Sequence, residues 1–266
     1  MENEFLKRLI SSLILLPIIL GSFYLGGAYF IVLIIIIVIF ALYEWDKIIK
    51  LQIFNPLYFL RSMIVVPIIL FTIYYKENFL LLSFLVIGLL LTLIISIKEK
   101  NLIFPSFGYI LILCPALCIV LLRLSVYFEF MIIVSFFSIV WLSDIGGYLF
   151  GKIFKGPRLI PSISPNKTIS GAIGSLLLPL SALFISNIYL KLNNLIPMLL
   201  LIIIISILAQ LGDLSESLFK RKFGVKNSGN IIPGHGGILD RIDSLIYTIP
   251  FFSIIFYSFD LEGLWN

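Results

Sequence analysis

The sequence is dominated by long apolar runs, and these limit what the chain can fold into more than any other feature. Nine such runs occur, at about 9–25, 28–43, 61–75, 79–97, 104–122, 130–150, 169–190, 195–212 and 245–259. Roughly 20 apolar residues suffice for a helix to cross the hydrocarbon core of a bilayer. Charged residues make up 12% of the 266 residues, whereas soluble domains carry roughly 25%. The sequence therefore predicts an all-α fold, a polytopic transmembrane helical bundle of about nine spans.

The basic residues indicate which way these spans run. Of the 19 Lys and Arg residues, all but Lys76, Arg123 and Lys191 fall on one side of the membrane when nine spans are counted. Cytoplasmic loops carry such an excess of positive charge. The skew predicts a cytoplasmic N-terminus and an external C-terminus. It also accounts for the formal net charge of +5, so we expect no nucleic-acid partner.

The two halves of the chain differ in their chemistry. Polar stretches longer than ten residues occur between the runs only at 44–60, 151–168 and 213–244. Acids and glycines lie at span ends in the second half, and the acids Glu44 and Asp46 of the first half are given no role. We predict N-terminal transmembrane spans in residues 1–140 and a C-terminal transmembrane catalytic region in residues 141–266.

The first polar stretch of the second half follows an acid within an apolar run. Asp144 lies in "WLSDIGGYLFGK", and an intramembrane acid usually marks an ion or substrate path. The alternative is an Asp that caps a helix end or reaches to the interface. Gly146, Gly147 and Gly151 predict a close approach between helices.

The segment "SISPNKTISG" resembles a phosphate-binding loop in its residue types. Ser164, Asn166, Lys167 and Thr168 precede the next apolar run, and Thr or Ser at this place caps a helix. A helix N-terminus with a lysine suits an anionic phosphate. The signal is weak when it is taken alone.

The second polar stretch carries a stripe of charged residues. In a helix, Asp213, Glu216, Ser217 and Lys220 of "GDLSESLFKRK" share one face. This places two carboxylates, a hydroxyl and an amine together at a membrane border. The alternative is a solvated amphipathic helix end with ion pairs.

The third stretch, "NIIPGHGGILDRIDS", combines glycines with charge. Gly234, Gly236 and Gly237 leave backbone N–H groups accessible to a ligand. His235 is the only histidine of the chain. It is a candidate base, a phosphate ligand or a structural loop residue.

Acids and a base follow the glycines. Asp240 and Asp243 are predicted to share a helix face, with Arg241 beside them. Arg241 either pairs with an acid or binds phosphate through both guanidinium N–H groups.

Five acids of the second half fall on the same predicted side and would repel one another in a low dielectric. A divalent cation resolves this repulsion, and Mg²⁺ binds one or two carboxylates together with phosphates and water. The predicted metal ligands are Asp144, Asp213, Glu216, Asp240 and Asp243. The bases predicted to meet phosphates are Lys167, Lys220, Arg221, Lys226 and Arg241. Acids for a metal and bases for phosphate predict phosphoryl or nucleotidyl transfer.

Residues 212–244, "GDLSESLFKRKFGVKNSGNIIPGHGGILDRIDS", closely resemble the signature of the phosphatidate cytidylyltransferase family, also called CDP-diacylglycerol synthases. The two earlier motifs, "WLSDIGGYLFGK" and "SISPNKTISG", resemble the family's other motifs. One departure is visible, since the family usually has Lys-Asp where this chain has Lys226-Asn227. We expect activity to survive this change because Asn also forms hydrogen bonds.

The resemblance implies transfer of CMP from CTP to phosphatidic acid, giving CDP-diacylglycerol and pyrophosphate. It implies Asp213 and Asp240 as the main ligands of Mg²⁺, a second cation and a homodimer. The expected catalytic residues are Asp213, Asp240, Lys167, Lys220, Arg221, Arg241 and His235, with His235 as a positioning group. The expected substrate-binding residues are Ser164, Asn166, Thr168, Ser217, Lys226, Gly236 and Gly237.

The implied location is the bacterial inner (cell) membrane, as a multi-pass protein whose active site faces the cytoplasm. Phosphatidic acid is expected to enter from the cytoplasmic leaflet and CTP from the cytosol. Two alternatives stay open: a CTP-dependent transferase acting on another membrane lipid, and an ion-coupled transporter. Asp144 and the glycine-interrupted spans support the transporter.

Overall fold

The computed structural model describes residues 2–51, 56–74, 78–98, 103–125, 130–190 and 195–258. In chain order its elements are α1 (Glu2–Leu25), α2 (Gly27–Ile48), α3 (Pro56–Met63), α4 (Val65–Tyr74), α5 (Asn78–Lys98), α6 (Phe104–Leu124), α7 (Phe130–Phe154), β1 (Arg158–Ile160), β2 (Ser164–Thr168), α8 (Ile169–Leu190), α9 (Leu195–Lys222), α10 (Leu239–Ile242) and α11 (Leu245–Ser258). Lys76 and Lys191, on which the charge skew partly depends, lie outside the described residues.

The chain forms two compact units, which we call unit 1 and unit 2. Unit 1 comprises Met1–Ser125 and Phe223–Ile242, and unit 2 comprises Val126–Lys222 and Asp243–Asn266. The "GHGG" segment thus belongs to the unit of the N-terminal helices. The predicted division at residue 140 separates the N-terminal spans from the region expected to carry the catalytic residues. It stays a prediction.

Long apolar helices confirm a helical membrane protein. Among the residues that the structure describes, five helices are long and apolar enough to cross a bilayer: Gly27–Ile48, Phe104–Leu124, Phe130–Phe154, Ile169–Ile188 and Leu195–Lys222. Four shorter apolar helices accompany them, at Ile10–Leu25, Phe59–Leu70, Leu85–Lys98 and Leu245–Ser258. The number of nine spans and the orientation of the N-terminus stay predictions.

Unit 1 is organised around α2, whose last turns are more polar than its apolar run suggested. The helix continues to Ile48, so Glu44 and Asp46 lie inside it and are buried. The helix is therefore longer than the predicted apolar run, which ended at about residue 43. Asp46 forms an ion pair with the buried guanidinium of Arg61. A buried acid can lie within the last turns of an apolar helix when a partner compensates its charge.

Neighbouring helices of unit 1 are fixed by a few polar contacts at helix ends. Between α1 and α2 the chain turns at Gly26, whose φ of 63° lies in the left-handed region. Arg123, in the last turn of α6, packs against Gly26 and donates from Nε to the carbonyl of Phe23 at 3.2 Å. At the other end of α2, Trp45 donates from Nε1 to the carbonyl of Phe104 at 3.0 Å.

In unit 2, α7 and α8 pack closely through small residues, as the glycine pattern predicted. A Cβ at Gly171 would lie 2.8 Å from the carbonyl oxygen of Gly147, and one at Gly151 would lie 3.6 Å from Cα of Gly171. A Cβ at Gly174 would collide with Phe150 and with the carbonyl of Gly146. Because lipid is as apolar as the helices, the hydrophobic effect does not drive them together in a bilayer. Small residues let their backbones approach closely enough to pack.

The segment between α7 and α8 corrects the prediction of an all-α chain. Strands β1 and β2 pair antiparallel, with Arg158 opposite Thr168 and Ile160 opposite Ser164. The expected loop "SISPNKTISG" therefore contains a strand. Pro161 and Pro165 contribute to the difference, because each favours extended backbone at the residue before it, and these residues, Ile160 and Ser164, pair in the hairpin.

The close packing of α7 on α8 generates a stability prediction. Gly174→Ala places a methyl group against Phe150 and the Gly146 carbonyl, so it should destabilise the protein by about 1–3 kcal/mol. Thermal unfolding in detergent measures this loss. The matched control is Gly21→Ala in α1, where a Cβ would meet nothing within 4 Å. Equal unfolding temperatures for the two variants would contradict the packing argument.

Candidate functional site

The polar stripe predicted for residues 213–220 lies on α9, a helix of 28 residues that continues past the end of the predicted apolar run to Lys222. Glu216 is buried and accepts a hydrogen bond from Lys220 Nζ at 2.7 Å. Ser217 Oγ lies 3.5 Å from Asp213 Oδ1, one helical turn earlier. The shared face is therefore confirmed, and it includes the ion pair of the alternative interpretation.

The β-hairpin brings a second lysine to this stripe. Lys167 of β2 places its Nζ 2.6 Å from Asp213 Oδ2, and both side chains are partly exposed. Arg221 donates from Nε to the carbonyl of Ile163 at 3.4 Å, which links α9 to the hairpin turn. Lys167 and Arg221 thus both contact their neighbours in unit 2 at the junction of α9 and the hairpin, and their roles as phosphate binders stay predictions.

The hydroxyl of Thr168 has a structural partner. Its Oγ1 accepts from the backbone N–H of Gly171 at 3.1 Å, which caps the start of α8 as predicted. Ser164 is half-buried and Asn166 is exposed. The substrate-binding roles of Ser164, Asn166 and Thr168 stay predictions.

Two further carboxylates of unit 2 lie in the field of the α9 stripe. Burial raises the pKa of Asp243 well above its usual value, and the neighbouring carboxylates of Asp213, Glu216 and Asp144 raise it further. The backbone N–H of Ser244 donates to Asp243 Oδ1 at 2.8 Å and opposes this shift in pKa. Asp213, Glu216 and Asp144 therefore all act on the Asp243 carboxyl.

The turn that holds Asp243 is fixed by close packing. A Cβ at Gly212 of α9 would collide with the carbonyl oxygen of Asp243 and lie 3.2 Å from Cα of Ser244. Ser244 Oγ lies 3.4 Å from Asp144 Oδ2. Gly212 thus permits the backbone approach that brings Asp243 and Asp144 into the same neighbourhood.

The chemistry of these donors fits a hard cation. Within the residues that the structure describes, no group of three or more His, Cys, Asp or Glu side chains is arranged to hold a metal ion. Mg²⁺ needs only one or two carboxylates, since water and phosphate oxygens complete its shell. A divalent cation beside Asp243 would offset the neighbouring carboxylates that raise its pKa. The roles of the five predicted metal ligands stay predictions.

Unit 1 holds the glycine-rich segment, in which Asp240 has backbone partners. Its Oδ2 accepts from the N–H groups of Ser228 at 3.0 Å and Gly237 at 2.9 Å. The short helix α10 ends at Ile242, so Asp243 lies beyond it. This corrects the prediction that Asp240 and Asp243 share a helix face. The cause is a turn at Asp243–Ser244 that separates α10 from α11.

His235 contacts the first helix. Its Nδ1 lies 2.6 Å from Ser11 Oγ and its Nε2 lies 3.3 Å from Ser12 Oγ. Its backbone N–H donates to the carbonyl of Ile232 at 3.0 Å. The positioning role of His235 stays a prediction. Lys226 and Arg241 are exposed.

Glu44 is a further residue of this region, and no role was predicted for it. This buried carboxylate accepts hydrogen bonds from Ser228 Oγ and from the N–H groups of Ile238 and Leu239. A signal was available, because Glu44 follows directly on an apolar run and an acid at such a place needs a partner. Distance along the chain hid the partner.

The fold and the paired charges define a polytopic membrane protein with a candidate site for anionic ligands. Residues 6–259 match the family model described as the Cytidylyltransferase family, and the chain belongs to that family. Because the match covers nearly the whole chain, it includes both units.

Curated relatives resemble part of the chain. A phosphatidate cytidylyltransferase of Staphylococcus haemolyticus is 52% identical over 123 residues, which are 45% of this chain and 46% of the relative. That of Staphylococcus saprophyticus is 49% identical over 120 residues, with the same shares. That of Staphylococcus aureus is 51% identical over 123 residues, again with these shares. The matches span a little under half the length of these relatives.

The buried pair on α9 generates a second stability prediction. Lys220→Met removes the ammonium group and leaves the buried carboxylate of Glu216 without it, which should cost roughly 3–5 kcal/mol. Unfolding in detergent with a chelator present measures the loss. Lys222→Met, at an exposed position on the same helix, should stay within about 0.5 kcal/mol of the parent. If both variants unfold alike, the pair does not stabilise α9.

Proposed function

We propose that this protein transfers CMP from CTP to phosphatidic acid and releases pyrophosphate, as the names of its relatives suggest. The observation that carries the proposal is the paired charge of unit 2, where Lys167 meets Asp213 and Lys220 meets Glu216. Membership of the Cytidylyltransferase family supports the nucleotide, and the relatives' names support the lipid. Carboxylates beside lysines at a span end suit two phosphate-bearing substrates.

The proposed reaction joins two anions. A phosphate oxygen of phosphatidic acid attacks the α-phosphorus of CTP, and a new P–O bond forms. The bond between the α-phosphorus and the bridging oxygen breaks, and pyrophosphate leaves with its electron pair. The attacking phosphate is already ionised near neutral pH, so it needs little help from a general base. Repulsion between the substrates is the main barrier that positioned cations lower.

Lysines supply part of this cation charge. Lys167 and Lys220 each neutralise a carboxylate in the structure. A substrate phosphate competes with that carboxylate for the same ammonium group. In the pair of Lys167 and Asp213 both side chains are exposed enough for such an exchange. In our proposal Lys167, Lys220, Arg221 and Arg241 bind phosphates, and Ser217 with Lys226 assists them.

A metal completes the charge balance in the proposal. The metal ligands that we propose in unit 2 are Asp213 and Asp243, with Asp144 and Glu216 as neighbouring carboxylates. The role of Asp240 as a ligand rests on the resemblance alone, as does a second cation. Mg²⁺ supplies Lewis-acid stabilisation of phosphate oxygens when it is bound.

We infer a location from the substrates and the charge skew. The protein is proposed to cross the bacterial inner membrane about nine times with its N-terminus in the cytoplasm. CTP then reaches the site from the cytosol, and phosphatidic acid enters from the cytoplasmic leaflet. A homodimer is proposed from the resemblance.

A lipid panel tests the proposed function. Purified protein with labelled CTP should convert phosphatidic acid to a CDP-lipid in the presence of Mg²⁺ and lose this activity with a chelator. Product formed only from another lipid phosphate would favour the alternative transferase. Ion-coupled uptake by proteoliposomes without CTP turnover would favour a transporter and contradict the proposal.

Two lysine variants, one in the β-hairpin and one outside it, test the role of the hairpin. Lys167→Ala should lower kcat/KM for CTP by roughly 10²-fold, because removing a positioned charge weakens transition-state binding. The matched control is Lys152→Ala in the same unit, whose exposed ammonium group lies 3.4 Å from Tyr148 Oη and outside the proposed site. The control should keep its turnover. An unchanged rate in Lys167→Ala would return the hairpin to a structural role.

A further inference from the structure

The carboxylate of Glu44 accepts hydrogen bonds from the segment 228–240. Glu44 lies near the end of α2 and is only 1% exposed. Oε2 accepts from Ser228 Oγ at 2.9 Å and from the Leu239 N–H at 2.9 Å. Oε1 accepts from the Ile238 N–H at 3.0 Å. One side chain of the second helix thus binds both ends of a segment almost 200 residues further along the chain.

The charge of Glu44 is compensated by neutral donors. Within the described part of the chain no Lys, Arg or His side chain forms an ion pair with it. A buried carboxylate is costly unless hydrogen bonds satisfy it. Three donors from a single segment do so here, and the same bonds fix that segment. The carboxylate and the segment therefore stabilise each other.

Glu44 and Asp240 divide the donors of the segment between them. The N–H of Gly237 donates to Asp240, whereas the next two N–H groups donate to Glu44. Ser228 donates its N–H to Asp240 and its hydroxyl to Glu44. The orientation of Asp240 thus depends on a backbone that Glu44 holds.

Two glycines make room for the carboxylate. A Cβ at Gly229 would collide with Glu44 Oε1, and one at Gly237 would collide with Glu44 Oε2 and Ser228 Oγ. Glycine at 237 therefore serves a contact inside unit 1. Its predicted contact with substrate needs the opposite side of the backbone.

We propose that Glu44 is a positioning residue for the segment 228–240, acting through Ser228 and the backbone of residues 237–239. The proposal rests on the proposed function for its kinetic consequence, because this segment carries Asp240 and its flanking Arg241. Misplacing such groups slows the chemical step more than it weakens substrate binding. Loss of the Glu44 carboxylate should therefore lower kcat.

The test combines hydrogen exchange with kinetics on the full-length protein in detergent. Glu44→Gln keeps the size of the side chain and replaces one acceptor oxygen by an NH₂ group. Amide exchange in peptides covering residues 228–240 should speed up at least tenfold. In the CTP assay kcat should fall by roughly 10²-fold while KM for CTP changes less than about threefold. Glu44→Asp retains two acceptor oxygens and should recover part of kcat.

The matched control is Asp46→Asn, two residues further along α2. Asp46 is also buried, but its ion-pair partner is Arg61 and it does not bind the segment. This variant should lose thermal stability without faster exchange in residues 228–240 and with kcat per folded molecule within twofold of the parent. If Glu44→Gln fails to accumulate, Ser228→Ala removes one of the three donors and should give the same exchange signature.

The outcomes separate this inference from the proposed function. Unchanged exchange in residues 228–240 of Glu44→Gln or Ser228→Ala would overturn the inference. So would faster exchange accompanied by an unaltered kcat, or equal exchange effects in Asp46→Asn. A parent protein that makes no CDP-lipid would overturn the proposed function, and the exchange data would still decide whether Glu44 holds the segment.

Discussion

A carboxylate that is removed from water beside a bilayer must find a cation or a set of N–H and O–H donors, and the polar architecture of this protein follows from that requirement. Unit 1 shows both solutions on one helix. Asp46 takes the guanidinium of Arg61, and Glu44 takes three neutral donors from a distant segment. In unit 2 the buried carboxylate of Glu216 takes Lys220 from the next turn of α9.

These solutions differ in what they leave available for chemistry. The pair of Asp46 and Arg61 is closed, since both side chains are buried in unit 1. The pair of Lys167 and Asp213 is open, with 27% and 36% of the two side chains exposed. An open pair is weak in stability terms and can exchange partners. This contrast distinguishes a structural ion pair from one that suits ligand binding.

The parts of this structure that sequence reasoning predicted are those governed by local spacing. The stripe from Asp213 to Lys220 follows from helical periodicity, and the close packing of α7 on α8 follows from glycines near Asp144. The hairpin was missed because the segment "SISPNKTISG" was interpreted as a loop before a helix. The contact of Glu44 with Leu239 joins residues 195 positions apart. No local pattern encodes such a partner, although the cost of burying Glu44 signals that one must exist.

Charge balance also limits how the site can operate under the proposed function. Burial and the carboxylates of Asp213, Glu216 and Asp144 raise the pKa of Asp243, so the ionised form of this carboxyl needs a compensating cation. In the proposed function, a cation that binds here would offset these carboxylates and leave a lysine available for phosphate. Phosphate that enters alone adds to the repulsion. Cation and nucleotide should therefore favour each other's binding, because each compensates the charge that the other brings.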